Sequence, residues 1–136
     1  MTRRVLLLDI PAPCKWINSN SRDHRMVQAK LTAIWRNAGT LAVTDENRRR
    51  HREGEPALVP FDTKVRIVAT IYKKRQGRYD VLNLWPSLKA AIDGIVSAGL
   101  LVDDSFEHII GPDMRHGGFG EPRIVVRIEE LKEDRE

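Results

Sequence analysis

The chain has 136 residues, 41% hydrophobic and 31% charged, which fits one globular domain able to bury a core and excludes a disordered or membrane-embedded chain. Its formal charge is +4 and its isoelectric point about 9.5. The lone cysteine, Cys14, excludes an internal disulfide and a cysteine-built zinc site, so a reducing, cytoplasmic setting is expected. The longest apolar run, Val5 to Leu8, is far too short for a bilayer span, and no signal peptide is expected.

Val5 to Ile10 reads as a first strand, stopped by Pro11 and Pro13. The polar loop from Trp16 to His24 follows, and within it Asn20 or Ser21 is the expected N-cap of a helix. That helix is predicted over Arg22 to Ala38, with Val27, Leu31, Ile34, Trp35 and Ala38 on one face and Gly39 ending it. From Thr40 to Pro60, Leu41 and Val43 suit either a continuing helix or a loop. Arg48 to Arg52, followed by Gly54 and Pro56, reads as an exposed, mobile connection.

Thr63 to Tyr72 alternates as a strand, with Val65, Ile67, Ala69 and Ile71 on its apolar side. Pro86 suits the first turn of a second helix that runs to Ala98 and buries Leu88, Ala91, Ile92, Ile95 and Val96, with Gly99 as its end. Phe106 to Ile110 is a predicted third strand and Arg123 to Glu130 a fourth, joined by Gly111 to Gly120 as a hairpin connection. The expected fold is a single α/β (α+β) domain over residues 1–131, a mixed sheet of about four strands with two main helices. Residues 132–136 form an acidic tail that should fray.

Charge is clustered along this scaffold. Arg48, Arg49, Arg50 and Arg52 surround His51, and Lys73, Lys74, Arg75 and Arg78 lead to Asp80. Basic clusters beside a few carboxylates suit a protein that holds a polyanion and works on it with a metal, while solvated surface is the plain alternative. Asp80 and the pair Asp103–Asp104 bracket the second helix. Hydrolysis of a phosphodiester needs a metal and an in-line water, and magnesium takes a few carboxylates and keeps several waters. The same carboxylates could simply cap the elements they adjoin. Trp85 could stack on an unpaired base or pack at the helix entrance.

The stretch Asp80, Asn83, Lys89, Ala90-Ala91-Ile92-Asp93-Gly94, Ala98-Gly99 and Asp103-Asp104 resembles the signature of the RusA family of Holliday junction resolvases, found in phages and prophages. The start resembles it too, with an apolar strand, a Pro-x-Pro turn and a loop carrying Asn18, Asn20, Arg22 and His24. The resemblance implies a RusA-like fold and magnesium-dependent cutting of four-way DNA junctions by a homodimer, through paired symmetric incisions in a bacterial or phage-infected cell. Manganese would be the possible substitute ion. It implies Asp80, Asp103 and Asp104 as metal ligands, with Asn83 as a neutral oxygen donor, and Lys89 at the scissile phosphate, so that Asp80, Lys89 and Asp104 carry catalysis. DNA contacts would come from Asn18, Asn20, Arg22, His24, Lys73, Lys74, Arg75 and Arg78. The chain departs from the signature at Leu82, where the best-known members have a second Asp, and its helix begins three residues later relative to its Lys. That departure keeps open a branched-DNA-binding protein impaired in cleavage, and a small protein-interaction module is the third reading.

Overall fold

The computed structural model describes residues 3–20, 22–74, 80–103 and 107–131. Four strands, β1 (Val5–Pro11), β2 (Val65–Lys73), β3 (Ile109–Phe119) and β4 (Arg123–Glu130), form one mixed sheet in the order β1-β4-β2-β3. Alternation dictates which face is covered: Leu6, Leu8 and Ile10 of β1, Val65, Ile67, Ala69 and Ile71 of β2, and Ile124, Val126 and Ile128 of β4 are all buried. The helices α1 (Arg25–Arg52) and α2 (Trp85–Ser97) complete that core with Trp35, Ala38, Val43, Leu88, Ala91, Ile92 and Ile95. The result is a single α+β domain. β4 is antiparallel to both β1 and β2, whereas β2 and β3 are parallel and joined through α2, as a parallel pair requires a crossover. No helix among the described residues is long and apolar enough to cross a membrane.

Three expectations are corrected. The first helix starts at Arg25, not Arg22, and its cap is His24, whose Nδ1 accepts from the Met26 amide at 3.1 Å. It then passes through Gly39 and continues to Arg52, so the helical alternative holds at Leu41 and Val43, and Arg48 to Arg52 is helix, not a connection. Gly39 serves packing: a Cβ there would collide with the Ala91 carbonyl, and one on Gly94 would collide with the Arg36 carbonyl. The two glycines let α1 and α2 cross backbone to backbone, and Thr40 Oγ1 donates to the Gly94 carbonyl at 2.9 Å across the crossing. The glycine that does end α1 is Gly54, with φ of 71° and its amide on the His51 carbonyl at 3.2 Å.

The third correction concerns β3. The glycine-rich segment expected as a hairpin is itself strand, running from Ile109 to Phe119 beside β2 with two register shifts. Gly117 sits against Thr70 and the Tyr72 ring, where a Cβ would come within 2.7 Å of side-chain carbons. Its glycine therefore makes room for Tyr72. Because β2 lies between β3 and β4, the link between them is no hairpin.

Candidate nucleic-acid and metal site

The structure gathers several of the sequence-derived residues at one end of the sheet. Since β1 and β2 both run antiparallel to β4, they finish at the same end, and the chain leaves β2 there through Lys73 and exposed Lys74. Asp80 caps a short 3-10 turn, Val81–Leu84, its Oδ1 accepting from the Leu82 amide at 3.0 Å. Asn83 closes that turn by donating its amide to the Asp80 carbonyl at 2.9 Å. Its own carbonyl then accepts from both the amide and the Oγ of Ser19, at 2.8 and 3.1 Å.

A second clasp lies beneath. Ser87 is fully buried in α2, and its Oγ accepts from the Ile17 amide at 2.7 Å and donates to the Ile17 carbonyl at 3.2 Å. Together Ser19 and Ser87 pin the loop after β1 onto the Asp80 turn. Asn18, whose Oδ1 accepts from the Asn20 amide at 2.8 Å, and exposed Asn20 and Arg22 are thereby held at the Asp80 end. Trp85 opens α2 at the same place with its indole exposed. His24 spends one ring nitrogen on the helix cap. Nothing in the sequence reading singled out Ser19 or Ser87; a small hydroxyl in an otherwise apolar helix face was the available signal for the latter.

Asp103 is elsewhere. Asp103 Oδ1 lies 2.8 Å from His108 Nδ1, and the His108 carbonyl accepts from the Val65 amide at 2.8 Å. Val65 begins β2, so Asp103 lies at the opposite end of the strand from the Asp80 turn. At the usual rise per residue the two ends of β2 are about 26 Å apart. Two oxygens on one magnesium each lie about 2 Å from it, so a single chain does not put Asp80 and Asp103 on one ion. Among the described residues no three or more His, Cys, Asp or Glu side chains gather where they would hold a metal. Asp104, Arg75, Arg78 and the tail over 132–136 lie outside the described residues.

Lys89 projects from the half-exposed flank of α2 and pairs with Asp93 at 2.7 Å, one turn on. Three arginines at the end of α1 have carboxylates beside them. Arg49 bonds Glu46, Glu53 and Glu55 at 2.8, 2.7 and 3.1 Å, Arg50 bonds Glu46 at 2.8 Å, and Arg48 approaches Asp45 at 3.6 Å. The hydrogen bond from Arg49, more than that from Arg50, holds the Glu46 carboxyl down at about 2. Cys14 is half-buried and its thiol is pushed up by desolvation, the wrong direction for a nucleophile.

Leu82 is 61% exposed. Its side chain takes no part in the core, so a carboxylate there would face water without cost. No family model matches this chain, and no curated protein matches it. The outer face of the sheet adds cations that the sequence reading passed over. Alternation places Arg66, Thr70 and Tyr72 opposite the core, and Arg123 of β4 lies over the Tyr72 ring at 4.6 Å.

Proposed function

We propose that the protein is a magnesium-dependent endonuclease of RusA-like fold that cuts branched DNA at four-way junctions as a homodimer. The observation that carries this reading is the docking of the Asn-rich loop onto the Asp80 turn through Ser19 and Asn83, beside Lys73 and Lys74. It brings oxygen donors and basic side chains to one sheet end, in the part of the chain that resembles the family signature, which supports the reading. A carboxylate from Asp80 and the amide oxygen of Asn83 are donors of the kind magnesium takes, and manganese would substitute. When bound, the ion would neutralise the phosphate and lower the barrier to attack by water.

The chain's own residues do the rest. Lys73, Lys74 and Arg22, with Arg75 and Arg78, draw in the phosphate backbone. Asn18, Asn20 and the outer face of His24 position sugar and phosphate without reading bases. Trp85 offers a stacking surface for a base unpaired at the branch point. Lys89, if released from Asp93, stabilises charge on the leaving oxygen. Within one chain Asp103 does not reach an ion held at Asp80.

The test is incubation with end-labelled synthetic junctions and magnesium or manganese. Paired nicks that disappear in Asp80→Asn and Asp104→Asn, with binding retained, are expected. A junction that stays intact with either ion overturns cleavage. Leu82 and the separation of the carboxylates favour the second reading, a branched-DNA-binding protein impaired in cutting. It predicts salt-dependent binding that strengthens in Asp80→Asn, because a repulsive charge is removed. Absence of binding even at low salt would leave a protein-interaction module.

A further inference from the structure

The two edges of the sheet are treated differently. β3 is guarded by Pro112, by positive-φ Gly111 and Gly118, and by two register shifts, devices that spoil an edge for further pairing. β1 has none of these along Val5 to Asp9. Its inner groups face β4: the Arg4 carbonyl accepts from Glu130 and the Ala12 amide donates to the Pro122 carbonyl. Alternation then points the amides and carbonyls of Val5, Leu7 and Asp9 outward, with no strand beside them among the described residues. An edge whose outward residues are Val5 and Leu7 before Asp9 and the terminal Pro11 is a template for another strand.

The surroundings are largely apolar as well, with Asp45, Glu46 and Arg49 the charged part of the α1 wall. Between β1 and α1 runs a groove of about 570 Å³, lined by Leu7, Pro11, Ala12, Ile34, Ala38 and Leu41 among others. Leu7 is 60% exposed, and α1 exposes Val27, Ile34 and Leu41, each one heptad after the last, which is the spacing of a helix-pairing seam.

We propose that β1 and this groove form the dimer interface, occupied by β1 and α1 of a second copy in a two-fold antiparallel arrangement. The register follows from the residues. Centring on Leu7 places Leu7 against Leu7 and Val5 against Asp9, each pair exchanging both hydrogen bonds, and Pro11, which has no amide, falls at the end of the ladder. The same register sets Arg3 diagonal to Asp9 of the second copy, within reach of a long side chain and of opposite charge. Centring on Asp9 would instead oppose two carboxylates, and centring on Val5 would waste the outward groups of Asp9. The product is a continuous sheet with the two α1 stripes facing across the axis, an isologous contact that closes on itself.

This interface lies at the far side of the sheet from β3 and leaves the Asp80 and Asp103 ends open. Across it, Asp80 of one copy and Asp103 of the other share an edge of the joined sheet but stay several strands apart. It is thus a scaffold contact, and it does not depend on the nuclease reading: assembly is read without DNA or metal.

The full chain is examined by sedimentation and by residue-resolved amide exchange, beside Leu7→Lys and Ile34→Glu, both at exposed positions. The expected result is a dimer whose Val5, Leu7 and Asp9 amides are protected, and variants that dissociate at least roughly tenfold more readily with those amides exchanging freely and the amides of β2 still protected. Retained β2 protection shows that the variants fold. A wild-type monomer, which would leave the edge to a different protein, overturns the proposal. So does a dimer that both variants leave intact, or one in which the outward β1 amides exchange freely.

Discussion

Replacing Gly94 by alanine sets two effects of opposite sign against each other. Alanine is the better helix former, and in an open helix the exchange should stabilise by about 1 kcal/mol. Gly94 is not open: its missing Cβ is the space in which the Arg36 carbonyl of α1 sits, with the Thr40 amide beside it. Both obstacles are backbone, so no rotamer change relieves them. α2 must shift from α1, and overpacking of that kind costs about 1–3 kcal/mol and at times more. It also disturbs the Thr40–Gly94 hydrogen bond, for which the net contribution is about 1 kcal/mol. The expected balance is a loss of about 1–3 kcal/mol, read as a lower urea midpoint with unchanged slope. The Asp80 turn leads directly into α2, so junction affinity should fall in the same variant. A Gly94→Ala protein more stable than wild type would show that propensity outweighs the crossing, and the reasoning about both glycines would be wrong.

Leu82→Asp adds the carboxylate that the RusA-like signature carries; stability should stay within about 0.5 kcal/mol, while metal-dependent cutting should rise, and unchanged nuclease rates across magnesium and manganese would count against the Asp80 end as the ion's anchor. Ser87→Ala leaves the buried Ile17 amide and carbonyl without their partner, so unfolding should cost about 1–3 kcal/mol less, with weaker junction binding as the Asn-rich loop loosens; a neutral result would mean that the clasp is dispensable. The lowered Glu46 carboxyl contributes stability that is present above its ordinary value of 4.5 and lost as pH falls from there to about 2. Urea titrations of Glu46→Gln should therefore show a deficit at neutral pH that closes on acidification, and a deficit constant with pH would refute the ion-pair account.

Much of the fold was legible because alternation is strict where the sheet is covered on one side only. β4 was read with its true limits, and β2 within two residues, since a slip by one would have turned Ile67 or Val126 outward. Glycine misled twice for one reason: it marks close approach as well as chain reversal. At Gly39 the apolar spacing of Trp35, Ala38, Ala42 and Val43 did continue through the glycine and could have overruled it. At Gly117 the need for space comes from Tyr72 on a neighbouring strand, a fact of pairing that local sequence does not carry. The candidate site was legible in its membership at the Asp80 end, because turn and loop residues sit close to one another in sequence on each side. Which carboxylates meet depends on where a crossover helix sets the chain down, and that is decided by the strand order.

The same strand order bears on how the chain is made. Among the described residues β1 has one neighbour, β4, and the Glu130 amide closes on the Arg4 carbonyl at 2.9 Å. The first strand of this sheet to be synthesised thus has no place in it until the last has followed. Val5 to Ile10 must wait, apolar and unpaired, while α1, β2, α2 and β3 are made. Completion of the domain is thereby tied to completion of β4, and a chain interrupted before Arg123 would present a sticky strand to every other nascent copy, a hazard that folding chaperones would have to cover.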